Sequence, residues 1–127
     1  MKALLDTNFL MIPGEFRVDI LSELLALGYT EVFTLDLVIK ELEKLSAGKG
    51  RDARNARIGL EFIRKGGIVV LRSKERNTDD ELLRLARTKK YVICTLDRGL
   101  IRKLREGKLR YISLRQGKYV AEAGSDF

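Results

Sequence analysis

Apolar residues follow two alternating periods along this chain, one typical of buried strands and the other of helices with a single buried face. Short apolar runs rich in Val, Ile and Leu predict five strands, at residues 2–6, 31–35, 68–72, 91–95 and 110–114. Apolar positions three or four residues apart predict five helices, at residues 16–27, 36–46, 52–65, 78–88 and 98–106. Strands and helices therefore alternate along almost the whole chain.

This alternation predicts the fold class. Strands separated by helices favour a mainly parallel sheet covered on both faces, so we expect a three-layer α/β/α sandwich with a central five-stranded sheet. The 127 residues suit one domain spanning residues 1–127. No apolar run approaches the roughly 20 residues of a membrane-spanning helix, and Met1-Lys2 leads directly into a strand, so we expect a cytoplasmic protein without a signal peptide.

Acidic side chains lie at the carboxyl ends of the predicted strands, where such folds bind ligands. Asp6 ends the first strand and Asp97 follows the fourth, while Asp79 and Asp80 open the helix that leads into the fourth strand. Glu41 lies one turn into the helix after the second strand. Because an acid that ends a buried strand needs a partner or a cation, Asp6 points most directly to a functional site.

Each of the other acids also has a purely structural interpretation. Asp97 is well placed to cap the helix that follows it. Asp79 and Asp80 suit the first turn of a helix, where the helix dipole favours negative charge. Glu41 suits a helix surface. The functional interpretation rests on the coincidence that all of them are expected at the same edge of the sheet.

The absence of histidine excludes several kinds of catalytic site. With no His and a single cysteine, Cys94, the chain cannot form Ser-His-Asp triads, Cys-His dyads, internal disulfides or multi-cysteine zinc sites. Cys94 lies in the middle of an apolar strand and is predicted to be a core residue. Hydrolysis would need carboxylates and a cation that prefers oxygen ligands, Mg²⁺ or Mn²⁺. Neither a GxxxxGKS/T nor a GxGxxG loop is present, which argues against ATP or dinucleotide binding.

Positive charge is concentrated near the carboxyl terminus. The formal net charge is +7, and residues 98–118 contain eight basic residues and one acid, Glu106. This stretch begins directly after Asp97, so it predicts a surface that grips the backbone of RNA beside the acids, although a merely solvated helix is the alternative. Tyr111 and Tyr119 could stack on bases or pack in the fold. The predicted RNA-binding residues are Arg98, Arg102, Lys103 and Arg105, extended by a second cluster that includes Lys49, Arg51, Arg54 and Arg57.

Four segments resemble the motifs of PIN-domain nucleases. Residues 5–10 (LDTNFL) resemble the opening motif of that family, and residues 38–42 (VIKEL) resemble its glutamate motif. Thr78-Asp79, with Ala86 seven residues later, and Thr95-Leu96-Asp97 resemble the third and fourth motifs. The resemblance covers essentially the whole chain. It implies metal-binding catalytic roles for Asp6, Glu41, Asp79 and Asp97, supporting roles for Asn8, Thr95 and Asp80, and Mg²⁺ or Mn²⁺ as cofactor.

Within this superfamily the chain looks most like the small-subunit processome endonucleases that cleave precursor ribosomal RNA, in an archaeal-type form. The likeness lies in YVICTLDRGLIRKLR at residues 91–105 and RYISLRQGKY at residues 110–119. It implies an endoribonuclease acting on RNA, with precursor ribosomal RNA as the candidate substrate. Ribosome-assembly partners and a homodimer are further expectations.

Three alternatives stay open at this point. A toxin-type PIN ribonuclease, held by an antitoxin, would share the acids but usually not the basic ending. An RNA-binding assembly factor with an inactive pocket would tend to have lost one of the acids. A phosphoacceptor receiver-like domain also groups acids at strand ends, but it needs a Lys just after the fifth strand, where this chain has Arg115.

Overall fold

Six strands form one sheet in a computed structural model that describes residues 1–124. The strands are β1 Lys2–Leu5, β2 Glu31–Leu35, β3 Val69–Leu71, β4 Val92–Cys94, β5 Tyr111–Arg115 and β6 Tyr119–Ala123. The helices are α1 Thr7–Leu10, α2 Ile12–Phe16, α3 Ile20–Ala26, α4 Asp36–Ser46, α5 Arg51–Lys65, α6 Thr78–Arg87 and α7 Arg98–Glu106. The predicted domain of residues 1–127 extends three residues further, and these lie outside the described residues.

The strand order is β3-β2-β1-β4-β5-β6. All neighbouring pairs are parallel except β5 and β6, which pair antiparallel. The predicted α/β class with a mainly parallel sheet is confirmed, but the prediction of five strands is wrong. The sixth strand returns along β5 through a tight turn, in which Gln116 and Gly117 have φ angles of 55° and 64°.

The strand order reverses between β1 and β4. After β1 the chain adds β2 and β3 on one side, and then returns to place β4 and β5 on the other. The connections that leave the carboxyl ends of β1 and β4 therefore diverge and open a crevice there. The backbone N–H of Asp6 donates to the carbonyl of Cys94 at 2.9 Å, which joins the two strands at the mouth of this crevice.

The segment between β1 and β2 differs from the predicted single helix over residues 16–27. Two short helices, α1 and α2, occupy residues 7–16, and only α3 follows the predicted periodicity. The side chain of Asp19 accepts from the N–H of Ser22, and α3 begins four residues later than predicted. Arg17 ends α2 in the left-handed region, at φ 58°, which separates α2 from α3.

Close packing holds α5 against α1. A Cβ on Gly59 of α5 would lie 2.7 Å from the carbonyl oxygen of Leu10, so only glycine lets the two helices approach this closely. Cys94 is completely buried, as predicted for a core residue. On α4, Val38 is buried in the core, whereas Leu45 is 38% exposed. No helix formed by residues 1–124 is long and apolar enough to cross a bilayer.

Candidate active site

Asp6 lies at the carboxyl end of β1 and caps α1. Its Oδ1 accepts from the backbone N–H of Thr7 at 2.7 Å, and its Oδ2 accepts from the hydroxyl of Thr95 at 2.7 Å. Only 5% of the residue is exposed. Burial raises the pKa of Asp6 to about 6, with repulsion from Asp79 and Glu41 adding to it, although the two hydrogen bonds act in the opposite direction.

Thr95 connects Asp6 to the end of β4. Its hydroxyl is completely buried, donates to Asp6, and accepts from the backbone N–H of Asp97 at 3.1 Å. The Oδ1 atom of Asn8 accepts from the N–H of Leu96 at 3.0 Å and lies 3.4 Å from the same hydroxyl. Asn8 and Thr95 thus join Asp6 to the segment that follows β4, and their supporting roles stay a prediction.

Asp97 combines the two interpretations considered for it. Its Oδ1 accepts from the N–H of Leu100 at 3.0 Å, so it is the N-cap of α7. It is also close enough to Asp79 for the repulsion between them to raise the pKa of Asp79. Asp97 has an extended backbone, and α7 begins at the next residue. Because its side chain caps α7, the hydrogen bond from Leu100 holds the carboxylate in place.

Glu41 is held by two threonine hydroxyls for which the sequence predicted no role at the site. Thr7 donates to its Oε2 at 2.6 Å, and Thr78 donates to its Oε1. Thr7 directly follows Asp6 and Thr78 directly precedes Asp79, so Glu41 is hydrogen-bonded to the neighbours of both aspartates. The only sequence signal for these hydroxyls is that each stands next to a candidate acid.

Asp79 is half-buried in the first turn of α6. Burial raises the pKa of its carboxyl most, with added repulsion from Asp97, Glu41 and Asp80, while the positive charge of Lys103 lowers it. Repulsion therefore couples Asp6 to Asp79 and Glu41, and Asp79 to Glu41 and Asp97, so each of the four predicted acids lies near at least one of the others. They are contributed by β1, α4, α6 and the β4–α7 junction.

Asp80, unlike Asp79, is hydrogen-bonded to the residue that caps α6. Its backbone N–H donates to Oδ1 of Asn77, and its carboxylate accepts from Nδ2 of Asn77, both at 2.8 Å. The N-cap of α6 is therefore Asn77. Thr78 and Glu81 have the spacing of a capping box, but the Thr78 hydroxyl donates to Glu41 instead and the cap is one residue earlier.

The donor chemistry of the crevice fits a hard divalent cation. Its side chains present carboxylate oxygens, and the repulsion that raises the pKa of Asp6 and Asp79 is what a bound cation would offset. Within residues 1–124, no three acidic or thiol side chains stand close enough together to hold an ion by themselves. Mg²⁺ usually keeps several waters and binds only one or two carboxylates, so it does not need three protein ligands close together.

The predicted RNA-binding residues on α7 separate into two groups. Arg98, Arg102 and Arg105 recur at intervals of four and three residues, so they share one exposed face, which we call the arginine stripe. Lys103 projects from a different face, and its charge acts on Asp79. Tyr111 is buried and accepts from Nε of Arg105 at 3.0 Å, so it packs in the fold, whereas Tyr119 is 45% exposed.

Arg54 and Arg57 lie elsewhere. Both are exposed on α5 and line a groove of about 580 Å³ between α5 and α3. The apolar part of the groove is formed by Leu21, Ile58 and Phe62. None of the four acids lines it, so the structure does not bring these two arginines into the crevice.

Comparison with known proteins identifies the family of this chain. Residues 3–117 match the model of a family described as PIN like domain. The chain belongs to the PIN-like domain family. The resemblance to PIN-domain nucleases is thereby confirmed, and the family assignment supports a nuclease, that is, a hydrolase of phosphodiester bonds.

Solved structures show the same PIN fold. One, described as the PIN domain endonuclease Utp24, superposes with a TM-score of 0.75 at 23% identity, covering 95% of this chain and 90% of that one. Another, a domain of a functionally unknown protein from Methanocaldococcus jannaschii, has a TM-score of 0.53 at 19% identity, with 90% and 91% covered. Comparison with curated proteins gives no sequence match.

Proposed function

We propose that this PIN-like protein is a Mg²⁺- or Mn²⁺-dependent endoribonuclease that processes precursor ribosomal RNA. One observation carries the proposal: where the strand order reverses, Asp6, Glu41, Asp79 and Asp97 lie near enough to one another for repulsion among them to raise the pKa of Asp6 and Asp79. A merely structural acid at a strand end would not require three further acids beside it. Repulsion among them opposes folding, so their grouping calls for a function that uses the combined charge.

The side chains of the crevice would hold the cation and keep it in place. The Thr95 hydroxyl is hydrogen-bonded both to the side chain of Asp6 and to the backbone of Asp97. The hydroxyls of Thr7 and Thr78 hold the side chain of Glu41. When bound, a Mg²⁺ or Mn²⁺ ion supplies an activated water and stabilises the charge that develops on the phosphodiester. Because the ligands are immobilised by hydrogen bonds, little reorganisation is needed when the substrate arrives.

The cations of α7 favour RNA as the substrate. Arg98 directly follows Asp97, and the arginine stripe continues away from the crevice along α7. Arginine binds phosphate through two parallel hydrogen bonds, so the stripe suits a polynucleotide backbone that enters the crevice. Utp24 is a PIN domain endonuclease of the same fold. Its likeness, together with the motifs at residues 91–119, leads us to place precursor ribosomal RNA, ribosome-assembly partners and the cytoplasm within the proposal.

An RNase assay with matched variants tests the proposal. We expect single-stranded RNA to be cleaved by the wild type with Mn²⁺ or Mg²⁺ and not with EDTA. Asp6→Asn and Glu41→Gln should lower the rate by at least about a hundredfold, since each alters the charge that holds the cation. Glu43→Gln, an exposed acid two residues further along α4, is the control and should stay within about twofold. Equal cleavage by the wild type and Asp6→Asn would show that the activity does not come from this crevice.

A further inference from the structure

A second cavity lies at the opposite edge of the sheet from the acids. It has a volume of about 470 Å³ and is lined by the beginnings of β1, β4 and β5 and by the turns that precede β4 and β5. Lys2 at the beginning of β1 lines the pocket, and Asp6 lies four positions further on, about 13 Å along the strand. We call it the lysine pocket, after the cationic residues that line it: Lys2, Lys89, Lys90, Lys108 and Arg110.

Among residues 1–124, no acidic residue lines this pocket. Arg110 forms an ion pair with Glu122, whose Oε2 lies 2.7 Å from a guanidinium nitrogen of Arg110. Helices α6 and α7 both end beside the pocket, and each carboxyl terminus contributes about half a negative charge. Lys2, Lys89 and Lys90 contribute three further positive charges to the pocket, against about one negative charge from the two helix ends.

One of its lysines is positioned by aromatic rings. The ammonium group of Lys2 lies 5.8 Å from the ring centroids of both Phe33 and Tyr91, and these two rings pack edge to face. Tyr91 itself lines the pocket. The pocket is thus concave and cationic with an aromatic wall, a combination that suits a phosphate group attached to a flat base better than a simple carboxylate.

The arginine stripe connects the crevice to this pocket. Helix α7 begins next to Asp97 and spans nine residues, about 13 Å, with Arg98, Arg102 and Arg105 along one face. It ends at Glu106, and Lys108, two residues later, already lines the pocket. Cations therefore continue from the acids to the far edge of the sheet, as a polynucleotide backbone would require.

We propose that the lysine pocket binds the phosphate groups of an RNA strand whose scissile phosphate lies in the crevice. The proposal rests on the proposed function for the identity of the polymer, but the phosphate site itself does not depend on catalysis. The pocket would then contact RNA far from the reacting bond. It would bind substrates that are long enough to reach it and would not affect shorter ones. Free phosphate or a mononucleotide offers the same chemistry from a different source.

Two matched double variants test the RNA arm. Lys89→Gln/Lys90→Gln removes two charges from the pocket, and Lys40→Gln/Lys44→Gln removes two exposed charges from α4. In EDTA, an RNA of about 20 nucleotides should bind the pocket variant at least about fivefold more weakly, with the slope of log K against log salt reduced by about 1.4. The α4 variant should keep the affinity and slope of the wild type. Both variants should cleave an RNA of about 4 nucleotides with Mn²⁺ as the wild type does.

The second arm uses inorganic phosphate and a nucleoside monophosphate. In the wild type, we expect either compound to shift the backbone amide NMR signals of Lys90 and Tyr91, and the pocket variant should lose these shifts. If these shifts occur and the pocket variant binds RNA as tightly as the wild type, the pocket binds phosphate, and its ligand is a free phosphate ester and not RNA. If neither the shifts nor a loss of RNA affinity is found, the proposal is overturned. Failure of the short RNA to be cleaved by any form would instead count against the proposed function.

Discussion

The hydroxyl of Thr95 donates a hydrogen bond to Oδ2 of Asp6 over 2.7 Å, although the two residues are 89 positions apart in the chain. The same hydroxyl accepts from the backbone N–H of Asp97. One buried side chain therefore sets the distance between the acids that end β1 and follow β4. The crevice depends on this link, because the two strands diverge beyond it.

Removing the Thr95 hydroxyl should cost stability and alter Asp6. Thr95→Val leaves Oδ2 of Asp6 and the N–H of Asp97 without this partner in a fully buried place, so we expect a loss of about 1–3 kcal/mol in the free energy of unfolding. The hydrogen bond from Thr95 lowers the pKa of Asp6, so its loss should raise that pKa further. Urea unfolding and carboxyl NMR titration measure the two effects. Thr95→Ser keeps the hydroxyl and should restore both values; an unchanged pKa in Thr95→Val would contradict the link.

The buried charge of Asp6 should make stability depend on pH. Its pKa is raised in the folded protein, so the folded state binds more protons than the unfolded one between about pH 4 and pH 6. This contribution to stability is fully present below about pH 4 and is lost as the pH rises through about 6. Asp6→Asn should therefore unfold at higher urea concentration than the wild type at pH 7.5 without divalent ions, by up to about 3 kcal/mol, and show no such advantage at pH 4.

The control for this prediction is Glu43→Gln, which removes an exposed carboxylate from α4. We expect its free energy of unfolding to follow that of the wild type at both pH values, within about 0.5 kcal/mol. Adding Mg²⁺ at pH 7.5 should stabilise the wild type and Glu43→Gln more than Asp6→Asn. A wild type that is no less stable than Asp6→Asn at pH 7.5 would mean that the crevice imposes no electrostatic cost.

The start of α6 offers a test that separates capping from positioning. Asn77 is the N-cap, so Asn77→Ala should lower the free energy of unfolding by about 1 kcal/mol. Thr78→Val removes the hydroxyl that holds Glu41 without touching this cap, so it should lower the cleavage rate about tenfold to a hundredfold. Thr78→Ser should recover the rate. If Thr78→Val cleaves normally while Thr78 proves to be essential for stability, the residue is a cap after all.

The arginine stripe and the α3–α5 groove should differ in their effect on RNA. Arg98→Gln/Arg102→Gln removes two of the stripe's cations next to Asp97, so RNA affinity should fall and the salt slope should decrease by about 1.4. Arg54→Gln/Arg57→Gln removes two exposed cations that line the groove away from the crevice, and we expect affinity within about twofold of the wild type. Fluorescence anisotropy over a range of salt concentrations measures both. Equal losses in the two variants would place RNA on the α5 face as well.

Much of this arrangement was predictable because the signals are local. Asp6 and Asp97 follow apolar runs that form β1 and β4, and the rule that sites lie at the carboxyl ends of parallel strands placed them together. Thr7 and Thr78 were missed because their hydroxyls act on Glu41 across 34 and 37 residues, which no spacing in the chain encodes. β6 was missed because its only local sign is the turn at Gln116-Gly117. This turn lets β6 pair antiparallel with β5, the strand that precedes it in the chain.

A crystal structure of the wild type soaked in Mn²⁺ tests the central claim most directly, since the anomalous signal of manganese identifies the ion independently of the carboxylates. The account predicts an anomalous peak in the crevice, at about 2.1 Å from carboxylate oxygens of at least two of the four acids. The same soak of Asp6→Asn should show a weaker peak or none. A wild-type crystal that is saturated with Mn²⁺ and shows its peak away from Asp6, Glu41, Asp79 and Asp97, while the protein cleaves RNA in the same buffer, would contradict the account.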